Sequence, residues 1–279
     1  MTMTTSAPAA APAPAASRIV ATRPRLAPLA AERVFIGRSI RHTLRNGEAL
    51  VMAIALPLIL MLMFTYVFGG AIDPSGGYVD YVVPGIILTC AGFGASYTAV
   101  AVNSDMTAGI IDRFRTMPLS ATAVLTGHVV ASVVKNLFAT AVVIGVAVAI
   151  GFRPSGGPLE WLGALGMVAL WILAITALFA AIGLAAGSPD AASGYGFALL
   201  FLPYVSSAFV PVSSMPQWLQ WIGEHQPVTP IIDTIRGLLL GDPGSIGADW
   251  LWGLGWCALI LAVAFAWGGW LYRRKAGRR

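Results

Sequence analysis

Lys135 is a charged residue in an apolar setting. It lies roughly three helical turns into an apolar stretch that begins near Ala123. A charge at the bilayer centre costs about 2.5–3.5 kcal/mol on insertion scales, so an ionisable residue held there is a candidate functional group. Two chemistries fit. The aliphatic stem can carry the ammonium back to the nearer headgroups. Alternatively the ammonium faces inward, as a partner for Asp105 or for an anionic ligand. The other reactive side chains form no constellation. The phosphate-cradling GxxxxGK[ST] loop is missing, and so are HExxH and Gly-x-Ser-x-Gly. His42 and His128 fall near one membrane boundary and His225 near the other, too scattered for a metal cluster. Cys90 and Cys257 sit inside apolar runs, without ligand spacing, and read as small hydrophobes. The expectation is a chain with no catalytic residue, no metal and no cofactor of its own.

The elements that must position these residues are helices in lipid. Apolar residues make up 57% of the chain and charged residues only 10%, against about 25% charged in soluble domains. The mean hydropathy is +0.79. Several runs reach the roughly 20 apolar residues that a membrane-crossing helix needs. They are apolar on every face, which excludes the alternation of a β-barrel. The spacing predicts an all-α membrane protein with six transmembrane helices, at about 49–70, 78–103, 123–152, 161–187, 193–212 and 250–272. Arginines before the first span, Arg113 and Arg115 in the second connection, and the basic run from Arg273 to Arg279 would share one side. The opposite side keeps Arg153 and Arg236. The positive-inside bias then puts both termini in the cytoplasm. Residues 1–28 are Ala/Pro-rich, have no long apolar core, and read as a disordered tail rather than a signal peptide. The membrane domain is expected over 29–279.

Three connections carry their own patterns. Leu29 to Glu48 interleaves Val34, Phe35, Ile40 and Leu44 with arginines, the pattern of a basic helix lying in the interface. In Ser104 to Thr122, Ile110, Ile111, Phe114 and Met117 fall at helical spacing and Pro118 closes the run. This predicts a short amphipathic helix on the cytoplasmic face. Between spans five and six, two apolar stripes separated by Pro227 and Pro230 are each too short to cross. They predict a re-entrant helical hairpin in the outer leaflet, with Trp218 and Trp221 at headgroup level. Phe93, Tyr97, Tyr195, Phe201 and Tyr204 are candidates for an apolar path and fit a lipid-facing surface equally well. Gly92, Gly94 and the GxxxG of Gly183 and Gly187 read as close helix packing. The scarcity of mid-membrane carboxylates argues against a proton- or sodium-coupled transporter.

The run from Gly109 to Ser120, with Ala123, Leu125 and Gly127, resembles the cytoplasmic signature of ABC type-2 exporter permeases, nearest the daunorubicin-resistance-type branch. Met215 to Gln220, with Pro227, Thr229, Arg236 and Gly241, is similar to the family's extracellular pattern. The chain departs from the family at Ala121, His128 and Gln226, where a basic residue, Arg and Asn are common. The resemblance implies a pair of permeases, as a homodimer or with a paralogue, above two separate ATP-binding subunits that hold ATP and Mg. It makes Gly109, Ile110, Asp112, Arg113, Phe114, Arg115 and Pro118 the coupling helix seated in the ATPase. It implies outward movement of a hydrophobic, drug-like compound across the cell membrane, on a path between spans two and five. A lipid or glycan precursor as cargo, or a non-transporting assembly or sensor protein, is the alternative.

Overall fold

The computed structural model describes residues 47–107 and 121–276. Among these the regular structure is helical throughout. α1 (Gly47–Leu62) runs on through a π-helical turn, Met63–Phe68, and a last turn, Gly69–Ile72. α2 (Tyr78–Thr107), α3 (Ala121–Ile150) and α4 (Pro158–Ala185) follow, then α5 (Pro189–Leu199). α6 (Gln217–His225) and α7 (Val228–Leu239) form a hairpin before α8 (Asp249–Ala276). Among the described residues, five stretches are long and apolar enough to cross a membrane: Leu50–Ile72, Tyr78–Thr107, Thr126–Ile150, Pro158–Ala185 and Asp249–Leu271.

α2 and α4 form the centre. They pack on each other, with α1, α3 and α5 around α2 and with α7 and α8 against α4. Most of their apolar residues are buried, whereas α1 and α8 bury little and turn their apolar surface outward. That distribution suits lipid, where packing and small residues rather than water exclusion hold helices together. Gly183 shows the principle: a Cβ there would lie 2.4 Å from the Ala99 carbonyl oxygen, so the two central backbones touch.

The bundle has two distinct ends. At one, Asn103 near the end of α2 caps the end of α4: its Nδ2 donates to the carbonyls of Gly183 (3.0 Å) and Ala186 (2.8 Å). The end of α8 lies at this same end, where Leu271 packs with Val102, Ala180 and Leu184. At the other, the Arg153 amide donates to Asp80 (3.0 Å), and the amides of Ser155 and Gly156 donate to the Leu239 carbonyl (both 3.0 Å). The first is the loop end, since residues 108–120 leave and return there. The second is the hairpin end.

The fifth expected span, 193–212, is not one helix. α5 starts cleanly, with the Ser188 hydroxyl accepting from the Ala191 amide and Pro189 in the first turn. It stops at Leu199, and only two 3-10 turns, Leu202–Val205 and Val212–Ser214, follow before α6. Pro203 is the cause. It has no N–H for the Leu199 carbonyl four residues back, and its ring would clash with that carbonyl. The interrupted chain still runs the length of α2: Gly196 lies by Ser96, Leu200 by Gly92 and Ala208 by Gly85. It reaches the hairpin end where the Tyr78 hydroxyl donates to the Phe209 carbonyl (2.7 Å). The α2 stretch from Tyr78 to Asn103 is about 37 Å long at 1.5 Å per residue.

The expected interface helix lies outside the described residues except for its last two positions. The same holds for the expected coupling-helix residues Gly109, Ile110, Asp112, Arg113, Phe114, Arg115 and Pro118.

Candidate functional site

A membrane-embedded break leaves backbone groups without partners, and each must be satisfied within the protein. Here side chains supply them. Gln226, in the turn between α6 and α7, donates its amide to the carbonyls of Leu202 (3.1 Å) and Val205 (2.6 Å). The Ser206 hydroxyl donates to the Pro203 carbonyl (2.6 Å) and accepts from the Ala208 amide (3.1 Å). Arg236 on α7 donates to the Ser207 carbonyl (2.6 Å) and, through Nε and Nη2, to the Tyr81 carbonyl (both 3.2 Å). Its guanidinium lies over the Tyr81 ring at 4.0 Å, and Asp233 accepts from it at 2.6 Å. The break is thus held open by its surroundings.

Along the break runs a chain of aromatic rings. Phe197 meets Phe201 edge-on, with centroids 5.1 Å apart. Phe201 is 6.1 Å from Tyr204, which stacks on Phe209 at 5.0 Å. Phe209 stacks on Phe64 at 4.3 Å, and Phe64 meets Phe68 at 5.5 Å, both in the π-helical turn after α1. Phe197, Phe201 and Phe68 are largely exposed, as is Tyr195. Of the expected path residues, Tyr195, Phe201 and Tyr204 belong to this surface. Phe93 and Tyr97 lie on α2 and are half-buried, outside the ring chain. Sequence reading missed Phe197, Phe209, Phe64 and Phe68. Phe209 follows the break at Pro203, and that proline was the available signal. Beside the break, a small apolar cavity is lined by Leu88, Gly92, Trp171, Phe179, Leu200 and Val228. The indole N–H of Trp171 has no partner there.

At the loop end, Asp105 pairs with His128 (2.9 Å), joining the last turns of α2 to the first turns of α3. This pair brackets residues 108–120. Lys135 does not reach Asp105. Its ammonium lies 5.2 Å over the Tyr97 ring, and the side chain is buried.

The family model for ABC-2 type transporters matches residues 31–240. The chain belongs to the ABC-2 type transporter family. The match covers every described element up to the end of α7, so the break, the ring chain and the Arg236 network all lie within the ABC-2 region. A daunorubicin resistance ABC transporter permease protein of Streptomyces coeruleorubidus is 33% identical over 217 residues, 77% of this chain and 74% of that protein. A probable doxorubicin resistance ABC transporter permease protein of Mycobacterium tuberculosis (strain CDC 1551 / Oshkosh) is 27% identical over 259 residues, 88% of this chain and 92% of that protein. This ABC-2 chain is a permease-type subunit rather than an ATPase, and a multi-pass protein of the cell membrane.

Proposed function

We propose that this permease exports a hydrophobic or amphipathic, drug-like compound, powered by ATP and Mg on a separate nucleotide-binding subunit. The interrupted segment 189–209 is the remaining crossing, which makes six. Both termini and the 108–120 loop are cytoplasmic, and the α6–α7 hairpin dips into the outer leaflet with Trp218 and Trp221 at the headgroups. Two permeases, identical or paralogous, pair to form the path. Residues Gly109 to Pro118 form the helix that seats in the ATPase, and nucleotide-driven closure pushes it against the ends of α2 and α3.

The observation that carries this reading is the exposed ring chain along a broken segment. Irregular backbone at membrane depth persists where it is buried in protein or lines a cavity. A run of ring faces there offers stacking to a planar apolar cargo at about 0.5–1.5 kcal/mol per pair beyond area burial. The relatives' names point to the same class of compound. The test is efflux of daunorubicin from cells that carry the permease with its ATPase. Phe201→Ala should slow efflux several-fold with unchanged membrane levels. Arg113→Glu combined with Asp112→Arg should abolish efflux and ATPase pull-down. Drug efflux at parental rate in both variants would overturn the path and the docking assignment. Export of a lipid or glycan carrier with no drug efflux would transfer the function to that alternative.

A further inference from the structure

α3 presents Ser132, Lys135, Asn136 and Thr140 to the bundle on one stripe, and all four are buried. Thr98 of α2 donates to the Ser132 hydroxyl at 2.6 Å. Asn136 fills the notch at Gly94, where a Cβ would lie 1.5 Å from its Oδ1. The Asn136 Oδ1 is buried with no hydrogen-bond partner among the described residues. Lys135 lies between these rungs at 8% exposure, its ammonium against the Tyr97 ring face. The neighbouring carboxylate, Asp105, is engaged by His128. Among the described residues Lys135 forms no ion pair and no hydrogen bond. A ring face offsets only a small part of the cost of holding a cation in an apolar medium, far less than a counter-charge would.

The position of Lys135 on α3 says from where a counter-charge can come. Val134 is 45% exposed and Phe138, one turn on, is 55% exposed. Lys135 is therefore at the rim between the packed seam and a lipid-facing apolar strip that also includes Leu137. An anion that arrives with an acyl chain can lay the chain on this strip and its headgroup against the ammonium. A free anion would have to cross the apolar rim alone.

We propose that Lys135 and Tyr97 form a site for the phosphate of an anionic membrane lipid, which enters sideways between α2 and α3. The site is separate from the ring chain, so it stands or falls independently of the cargo.

The test uses the full permease purified with its ATPase, placed in nanodiscs of phosphatidylglycerol or phosphatidylcholine, and read by lipid retention in native mass spectrometry. Phosphatidylglycerol should be retained by the parent and by Lys135→Arg. Lys135→Met should retain it about tenfold less, and phosphatidylcholine should not change. A tenfold loss is ~1.4 kcal/mol, near the low end for a charged hydrogen bond. Equal phosphatidylglycerol retention by the parent and Lys135→Met overturns the site. Dodecyl phosphate should displace the lipid from the parent protein where the same concentration of inorganic phosphate does not. Equal displacement by both overturns the lipid assignment in favour of free phosphate. These competition arms need no variant, so they decide the matter even if Lys135→Met does not fold.

Discussion

Removing Arg236 should loosen the hairpin end more than any other single charge change there. Its guanidinium joins three elements: α7, through Asp233; α2, through the Tyr81 carbonyl and ring; and the fifth segment, through Ser207. Its side chain is 15% exposed and that of Asp233 29%. Truncation to Ala removes the side-chain donor of the Tyr81 and Ser207 carbonyls, and Asp233 keeps the Ser207 hydroxyl (2.7 Å) as its remaining described partner. Breaking a buried pair from one side costs about 3–5 kcal/mol. Partial exposure of both groups puts this one near the lower bound, ~3 kcal/mol. Lysine keeps the charge but cannot offer a planar fork to three acceptors at once, so Arg236→Lys should lose roughly half of that. At about 2–4 °C per kcal/mol for a chain of this size, Arg236→Ala should melt ~6–12 °C lower and Arg236→Lys ~3–6 °C lower. The assay is the thermal melt of the purified permease in detergent, followed by tryptophan emission. Equal melting of the parent and both variants would refute the claim that this network holds the hairpin to the bundle.

Asn103→Leu keeps the volume but strips the carbonyls of Gly183 and Ala186 of their donor. At about 0.6–1.7 kcal/mol per interhelical bond in membranes, melting should fall by a few degrees. Hydrogen exchange should rise around Ala186, and an unchanged exchange pattern would count against the cap. A Cβ at Gly85 would stand 2.6 Å from the Ala208 Cα. Gly85→Leu should therefore give little folded protein on size exclusion, because neither backbone can yield. The Ser75 hydroxyl and amide, both donating to the Asp73 carboxylate, hold that carboxyl below its ordinary value. A lowered value means the turn is supported above the unfolded carboxyl's pKa and loses that support as pH falls through the lowered one. Exchange at the Ser75 amide should thus quicken below about pH 4, and Asp73→Asn should abolish the pH dependence.

The long spans were legible because lipid imposes one rule: about 20 apolar residues per crossing. For α2, α3, α4 and α8 the expected ranges differ from the helices by a few residues at most ends, where an apolar count cannot see the polar last turns. The fifth segment defeated the count. Apolar residues continue through 193–212, but Pro203 cuts the helix inside them, and hydropathy does not weigh a missing N–H. The hairpin's two stripes were visible, and Ile231, Ile232, Ile235 and Leu239 of the second are buried against the bundle. Trp218 and Trp221 of the first are exposed, as an amphipathic pattern requires. Arg236 stood out as a stray charge on the sparsely charged side and as part of the family's extracellular pattern, and neither reading gave it partners. Its role depends on the carbonyls of Tyr81 and Ser207 lying beside α7, a matter of three dimensions. Lys135 was found by its oddity, yet its neighbours Ser132, Asn136 and Thr140 lie at the same helical spacing and were readable with it.

Where the bundle can bend follows from which bonds cross which boundary. Four side-chain hydrogen bonds tie the hairpin to the chain after the break: two from Gln226, one from Arg236 and one from the Ser207 hydroxyl to Asp233. All engage residues 202–207. α5, before the break, is held differently, by close packing of Gly196 on Phe179 and Ser96 and by the Ser188 cap. Between the two lie Leu200 and Phe201, where the backbone has left the helix and Leu200 rests on Gly92. Sliding the hairpin past residues 202–207 must stretch the four bonds. Swinging α5 relative to the hairpin about Leu200 and Phe201 stretches none of them. The soft point of the fifth segment is thus next to Phe201, in the middle of the ring chain, so a swing there changes the spacing of the rings while the hairpin stays docked.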